Sequence, residues 1–177
     1  MAERKIIVNG GSDNARERAS GDLYAHVSQT LWAEKDTGTT AGTAGPETMY
    51  TYSLLANTLS ANESSISMVF NGVFAATAND KYIRLMFNGT QISLENAYTN
   101  NNTAWQMTAH IMRASNSILE CTVTTYRHSS SPDMKYTEIS SLNLSATEYD
   151  MTLELETPDA VGDVSVHNGR IMFHPAP

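Results

Sequence analysis

Apolar and polar residues alternate along most of the chain from about residue 47 onward. The alternation is clearest in Trp105–Met112 and in Met151–Glu156, where every second residue is apolar. A period of two is the pattern of a β-strand whose sheet buries one face. The 3.6-residue spacing of an amphipathic helix is absent from these runs, so the pattern predicts a domain built from β-strands.

The alternating runs predict eight strands separated by turns. They lie near residues 47–55, 64–75, 81–87, 90–95, 104–114, 117–127, 150–157 and 164–173. Met134–Leu142 predicts a ninth strand at a sheet edge or, alternatively, an ordered loop. Asn88-Gly89 and Asn79-Asp80 are typical of tight hairpin turns, and Asn71-Gly72 predicts a β-bulge. Short strands with such turns indicate an all-β fold, an antiparallel two-sheet jelly-roll sandwich.

The first 46 residues lack this regularity. Ala15–Ala19 predicts a turn of helix and Leu23–Trp32 a strand, whereas residues 36–46 resemble a flexible linker or long loop rich in Gly, Thr and Ala. We therefore divide the chain into an extended N-terminal arm and linker over residues 1–46 and a jelly-roll β-sandwich domain over residues 47–177. An arm with little core of its own needs another surface to lie against.

Charge is sparse in this sequence. Charged residues make up 17% of the 177 positions, against about a quarter in an average domain. The formal net charge is −8 and the basic residues form no stripe, which argues against binding to nucleic acid. A polar but weakly charged surface favours contact with neighbouring protein.

The N-terminal arm holds the candidates for a protein interface. Four basic residues gather there and would suit an acidic partner surface; the alternative is a solvated arm neutralised by its own acids. The interface candidates are Arg4, Lys5, Arg16, Arg18 and Trp32.

The single cysteine, Cys121, excludes a disulfide within the chain. Its place between Leu119 and Val123 in an alternating run predicts a buried, unreactive thiol. The chain opens without a basic segment followed by an apolar run, so we expect no secretion signal. It also lacks a run of about 20 apolar residues, so we expect no contact with a membrane.

Catalytic, cofactor and metal motifs are not found in the sequence. The five histidines do not stand at zinc-ligand spacing, and the chain has neither a nucleophile elbow nor a glycine-rich phosphate loop. Glu154 and Glu156 share one strand face about 7 Å apart, a separation that suits an inverting glycosidase, but an acidic solvated face is the simpler interpretation. We therefore expect a non-enzymatic protein without a cofactor or a metal.

A loop over residues 96–103 is rich in asparagine and threonine. An aromatic ring in such a loop stacks on the apolar face of a sugar, and amide groups supply donors and acceptors for its hydroxyls. The candidates for contact with a ligand are therefore Tyr98, Asn100 and Asn101. Trp105 lies in an alternating run, which favours core packing instead.

Three segments in succession form the most distinctive part of the sequence. They are Tyr50–Asn62, Phe70–Lys81 and Ile83–Thr90, and the tryptophan-bearing run Trp105–Arg113 follows them. In this order they resemble a β-rich module of tailed-bacteriophage virion proteins. The similarity covers about residues 47–130, and Leu55 stands where the module usually has proline.

The resemblance implies a structural component of a virion with a jelly-roll domain and no catalytic residues. Capsid decoration (cement) proteins and tail appendages both use such modules, and a short chain with an arm is more similar to a decoration protein. The implied partners are other copies of the chain in a homotrimer and the major capsid protein or another virion protein. The implied location is the virion, after assembly in the host cytoplasm. The alternative is a tail fibre, adaptor or receptor-binding module that recognises a carbohydrate.

Overall fold

The computed structural model describes residues 4–6, 16–18, 28–34, 38–41, 45–77, 79–99, 102–127, 131–157 and 163–176. These ranges contain thirteen β-strands and no helix. The strands are β1 Arg4–Ile6, β2 Arg16–Arg18, β3 Gln29–Glu34, β4 Gly38–Thr39, β5 Glu47–Leu54, β6 Ser65–Phe74, β7 Tyr82–Phe87, β8 Thr90–Gln91, β9 Thr103–Ser115, β10 Ile118–Arg127, β11 Asp133–Ile139, β12 Tyr149–Glu156 and β13 Val164–His174.

The strands form two large sheets in a sandwich, and every pairing between them is antiparallel. The larger sheet has the order β11-β10-β9-β6-β13-β3, with β4 also pairing with β13. The smaller sheet has the order β5-β12-β7-β8. The chain passes repeatedly from one sheet to the other, for example from β5 to β6 and from β11 to β12. The predicted all-β two-sheet sandwich is therefore confirmed.

The core lies between the sheets and consists of the apolar residues of each alternating run. Fully buried side chains from the larger sheet include Phe70, Met107 and Ile111, and those from the smaller sheet include Leu85 and Leu153. One continuous cluster joins them. Burying a large apolar side chain contributes roughly 1.5–3 kcal/mol, so this cluster is the main source of stability.

The turn at Asn88-Gly89 is a two-residue hairpin loop, as predicted. It joins β7 to β8, where Phe87 pairs with Thr90. Both loop residues have positive φ, 46° at Asn88 and 76° at Gly89. Asn and Gly tolerate this left-handed backbone, and such turns match the twist of paired strands. β8 then ends early, because the Ser93 hydroxyl takes the place of a ladder partner and accepts the N–H of Leu85 at 2.9 Å.

The hairpin predicted at Asn79-Asp80 is wrong. This segment joins β6 of the larger sheet to β7 of the smaller sheet, so it crosses the sandwich instead of turning back within one sheet. The buried Lys81 follows it, and its ammonium donates to the carbonyl oxygens of Thr77 at 2.7 Å and Asn79 at 3.0 Å. A buried lysine therefore provides hydrogen bonds to the backbone carbonyl oxygens of this connection. The turn pattern in the sequence does not reveal that arrangement.

The bulge predicted at Asn71-Gly72 lies in the strand opposite. Val166 pairs with Gly72 and Asn168 with Asn71, so His167 is the extra residue, and it belongs to β13. Gly72 is required for a different reason. A Cβ atom at this position would lie 1.9 Å from the backbone oxygen of Ser165 and 2.5 Å from the indole of Trp105.

The region before residue 47 contains more sheet than the sequence predicts. Instead of a helical turn, Arg16–Arg18 forms β2 and pairs with β1. The strand expected over Leu23–Trp32 is β3, from Gln29 to Glu34, and residues 23–27 lie outside the described residues. β3 and β4 both pair with β13, so the larger sheet begins within the predicted arm and linker. The predicted ninth strand is β11, at the edge of that sheet.

Candidate functional site: the open face of the larger sheet

The larger sheet has one face on the core and one face turned away from the smaller sheet. We call the second one the open face. Its side chains alternate with the buried ones along each strand and are exposed or half-buried. They include Met134, Tyr136 and Glu138 of β11; Glu120, Thr122, Thr124 and Tyr126 of β10; Ala104, Gln106, Thr108, His110 and Met112 of β9; Ser67, Val69, Asn71 and Val73 of β6; and His167, Asn168, Arg170, Met172 and His174 of β13.

Three amide side chains form a hydrogen-bonded row across one end of the open face. Nε2 of Gln106 donates to Oδ1 of Asn71 at 2.7 Å, and Nδ2 of Asn71 donates to Oδ1 of Asn168 at 2.7 Å. Tyr126 continues the row, since it pairs with Gln106 across β10 and β9, and its side chain is 46% exposed. We call Tyr126, Gln106, Asn71 and Asn168 the amide row.

A pocket of about 530 Å³ opens at the amide row. Its lining comprises the amide row together with Gly72, Val73, Ala104, Trp105, Arg127 and His167. The volume lies within the range of about 300–1,000 Å³ that small-molecule sites occupy, but the depression is shallow and widely open to solvent. The bulge of β13 forms one wall, so we call it the bulge pocket.

Among the residues that the structure describes, the lining of the bulge pocket contains no acidic side chain and one basic residue, Arg127. That guanidinium is already engaged. Its Nη2 lies 2.9 Å from Oδ2 of Asp133, and its Cζ lies 4.8 Å from the centre of the Tyr98 ring. The remaining polar groups of the pocket are neutral amides, a tyrosine and a histidine, so the site is polar without strong charge.

Strand β11 forms one outer edge of the larger sheet, beside β10. It pairs with β10 on one side and with no described strand on the other. Met134 is 67% exposed and Tyr136 is 60% exposed. The intervening Lys135 points between the sheets, where its Nζ donates to the carbonyl oxygens of Gln91 at 2.9 Å and Ser93 at 3.2 Å. We call Met134, Tyr136 and this strand the β11 edge.

Two histidines lie near one another in the middle of the open face. His174 accepts or donates through both ring nitrogens, with Nε2 2.7 Å from Oγ of Ser67 and Nδ1 2.6 Å from Oγ of Ser28. His110 pairs with the same Ser67 across β9 and β6. Partial burial lowers the pKa of His110, and the positive charge of His174 lowers it further.

Tyr98, the predicted sugar contact, lies inside the core. Its ring is 1% exposed and packs 5.5 Å from the ring of Phe74, centre to centre. Its backbone forms a bridge with Lys81, N to O at 2.8 Å and O to N at 3.0 Å, which draws the residue inward. A ring in this position is closed to a ligand from solvent, so the expectation for Tyr98 is corrected. Asn100 and Asn101 lie outside the described residues.

The interface candidates of the N-terminal region occupy two different places. Trp32 of β3 is half-buried and packs on the core side, with its ring 5.0 Å from Tyr50 and 6.3 Å from Phe70. Its contacts are those of a packing residue. The four basic residues lie on the two-stranded sheet, where Arg4 pairs with Arg18 and Lys5 with Glu17. The role of these four residues, Arg16 included, in an interface stays a prediction.

The two carboxylates considered for glycosidase chemistry lie on the outer face of the smaller sheet. Glu156 forms an ion pair with Arg84, which also contacts Glu95 at 3.1 Å. Glu154 pairs with Arg84 across β12 and β7. The ion pair gives Glu156 a role in holding β12 and β7 together.

Cys121 is fully buried, as predicted, and burial raises the pKa of its thiol to about 12. Trp105 is buried as well, in agreement with its alternating run. Among the described residues no group of three or more His, Cys, Asp or Glu side chains is placed to hold a metal ion. The same part of the chain contains no helix with the length and hydropathy to cross a bilayer.

Comparison with known proteins gives no family. No protein-family model matches the chain, and no curated protein matches it in sequence. Solved structures with partial similarity include the C-terminal domain of EclA, a sugar-binding protein, with 12% identity, a TM-score of 0.42 and coverage of 86% of this chain and 85% of that one.

Two further solved structures are similar over part of their length. The CBM2 module of the evolved Dit protein of Lactobacillus casei BL23 phage J-1 has 9% identity and a TM-score of 0.35, covering 78% of this chain and 75% of that one. An alginate lyase from Klebsiella pneumoniae has 10% identity and a TM-score of 0.30, covering 64% and 60%. Similarities of this size carry no conclusion about function, and the fold class rests on the strand order and register of the chain itself.

Proposed function

We propose that this chain is a non-enzymatic structural protein of a bacteriophage virion, a capsid decoration (cement) protein that binds neighbouring proteins through the β11 edge and the open face. The observation that carries the proposal is that the edge strand has no described partner on its outer side and exposes Met134 and Tyr136 on one face. An exposed row of N–H and C=O groups at such an edge can pair with another chain. Lys135 of this strand is turned inward and holds carbonyl oxygens of the smaller sheet, so its charge lies away from the exposed face.

The side chains of the β11 edge suit a protein partner. Tyr136 and Met134 are large, exposed and on one face, and both residue types are enriched in protein interfaces. The charged members of the open face are Glu120, Glu138 and Arg170, so covering it desolvates few ions. The outer face of the smaller sheet differs, since Arg84 forms ion pairs there with Glu95 and Glu156, and covering that face would desolvate more charge.

The proposed partners are a second and third copy of the chain, in a homotrimer, and the major capsid protein. An added strand against β11 would extend the larger sheet and supply main-chain hydrogen bonds, while Met134 and Tyr136 supply apolar contact. The basic residues of the two-stranded sheet are a second proposed contact with the capsid.

Substitution of the edge tests the proposal. We expect the double variant Met134→Lys and Tyr136→Lys to lose self-association in light scattering and to fail to bind undecorated heads in a co-sedimentation assay. Leu55→Lys, at an exposed apolar residue outside the larger sheet, is the matched control and should behave as wild type. Normal decoration by the double variant would overturn the role of the edge.

The location of the protein on a particle separates the decoration protein from the tail-appendage alternative. Antibody labelling of purified virions in electron microscopy should mark the head surface. Label at the tail tip would favour the fibre, adaptor or receptor-binding alternative. Virions without label would contradict both.

A further inference from the structure

We propose that the bulge pocket binds a neutral saccharide. The pocket lies on the same open face as the β11 edge, with Tyr126 on the neighbouring strand β10, and the inference does not use the proposed contacts of that edge. It rests on the identity of the pocket side chains, their hydrogen bonds and their exposure.

The amide row supplies polar groups that are held in place and not fully used. Asn71 donates to Asn168 and accepts from Gln106, so its orientation is fixed from both sides. Within the described residues this leaves Oε1 of Gln106 as an acceptor and the Nδ2 amide of Asn168 as a donor at the two ends of the row. Hydroxyl groups of a saccharide both donate and accept, and therefore match such an array.

Tyr126 supplies an aromatic surface beside these polar groups. Its ring is 46% exposed and lies next to Gln106 in the row. A tyrosine offers an apolar ring face and a polar hydroxyl, and it loses little conformational freedom on binding. A pyranose has an apolar face of C–H groups and a polar rim. A pyranose that stacks on the Tyr126 ring would therefore direct its hydroxyl groups toward the amides.

The bulge adds one more side chain to the pocket. Because His167 is the extra residue of β13, both His167 and Asn168 are exposed on the open face, whereas a regular strand would turn one of them to the core. β-Bulges frequently re-aim side chains next to functional sites. Nε2 of His167 lies 3.2 Å from Oγ of Ser165, which limits the ring to the rim of the pocket.

The charge of the pocket selects the class of saccharide. Arg127 is engaged by Asp133, and the other lining residues are uncharged apart from the titratable His167. A phosphate, a sulfate or a sialic acid would be desolvated here without a free cation among the described lining residues to balance it. A neutral glycan meets no such penalty.

The test uses the full chain on a glycan array that contains neutral, sialylated and sulfated glycans, followed by calorimetric titration of the strongest neutral binder. We expect binding to neutral glycans. Tyr126→Ala should weaken that binding about tenfold through loss of the stacking surface. Asn168→Asp keeps the size of the side chain, removes its amide donors and should weaken binding to a similar extent.

Leu55→Ala is the control, since Leu55 is a large exposed side chain that lies outside both the pocket and the β11 edge. We expect it to bind the glycan like wild type. No neutral glycan bound above background, a preference for acidic glycans, or unchanged binding by Tyr126→Ala would each overturn the proposal. Because the Tyr126 side chain is exposed, loss of the fold is not expected to confuse the result; a thermal unfolding curve of each variant checks this.

Discussion

At the scale of single residues, the most consequential side chain is the buried Lys81. Its ammonium holds the carbonyl oxygens of Thr77 and Asn79, while the buried Asp163 accepts hydrogen bonds from the Thr77 hydroxyl at 2.7 Å and the Asn79 amide at 3.1 Å. Burial lowers the pKa of Lys81, and Asp163 and Asp80 oppose that shift. This network fixes the connection by which the chain crosses from β6 to β7.

Replacing Lys81 should therefore destabilise the fold. Lys81→Met keeps the aliphatic length but leaves the carbonyl oxygens of Thr77 and Asn79 without their donor and removes the positive charge that interacts with Asp163, and we expect a loss of about 3 kcal/mol in the free energy of unfolding. Urea denaturation measures it. Arg170→Met, on the exposed open face, is the control and should change stability little. An equal effect of the two substitutions would contradict the assigned role.

The Cys121 thiol should be inert while the protein is folded. A pKa of about 12 and full burial leave almost no accessible thiolate near pH 8, and thiolate is the reactive form. We expect iodoacetamide to leave the native protein unmodified and to modify it completely in denaturant, as measured by mass spectrometry. Rapid modification of the native protein would show that β10 opens locally.

His110 should make the protein less stable in mild acid. Its pKa is lowered in the folded state, so the unfolded chain binds the proton more readily, and stability falls as the pH drops below about 6.5, the ordinary histidine value. The loss stops once the pH is below the folded-state pKa. Comparison of urea midpoints at pH 7.5 and 5 should give a smaller difference for His110→Gln than for wild type. An identical difference would assign the acid sensitivity to other groups.

At the scale of elements, the alternating runs predicted strand positions well because alternation is a local property. β6, β9, β10, β12 and β13 begin and end within two residues of their predicted bounds. The errors concern relations between strands. Whether Asn79-Asp80 turns within a sheet or crosses between sheets depends on which strand β7 meets, and nothing near the turn encodes that partner.

Gly72 gives a prediction at this scale, because it lets β6 approach β13 and Trp105 closely. In Gly72→Ala the new methyl group would meet the Ser165 carbonyl, so the two strands must separate, and we expect a loss of about 3 kcal/mol. Gly89→Ala provides the comparison. Its methyl group meets nothing within 4 Å and suffers only from the positive φ, at about 1–2 kcal/mol. Similar losses of stability for both variants would show that the close approach of β13 and Trp105 does not exclude a side chain at position 72.

At the scale of the whole molecule, the larger sheet of the sandwich begins before residue 47, the predicted start of the domain. β1 and β2 pair only with each other among the described strands, whereas β3 and β4 pair with β13. The N-terminal region thus has a part that belongs to the larger sheet and a part that shares no strand pairing with it.

Two truncations should separate these parts. Removal of residues 1–27 should leave the thermal unfolding midpoint nearly unchanged, whereas removal of residues 1–45 should lower it by many degrees. The longer deletion takes away β3, β4 and the contacts of Trp32 with Tyr50 and Phe70. Differential scanning calorimetry decides the matter, and an equal midpoint for both truncations would contradict the role of β3.

The candidate site could not be predicted to the extent that the fold could. Asn71 lies 35 positions from Gln106 and 97 positions from Asn168, and only the register of β9, β6 and β13 brings the three together. The prediction for Tyr98 was wrong because it relied on the polar residues next to Tyr98 in the sequence. The bridge to Lys81, which places the Tyr98 ring in the core, depends on a residue 17 positions away. The outward position of Tyr126 in an alternating run was the one local indication of the pocket.

The bulge in β13 also means that a change in strand length can alter the pocket without altering the core. Val166 faces inward before the bulge and Gly169 after it, so loss of the single codon for His167 would restore strict alternation and leave every core residue in phase. Loss of one codon almost anywhere else in that strand would turn half of its apolar residues to solvent. Length variation at this one position can therefore alter what the pocket recognises while selection on folding is unaffected.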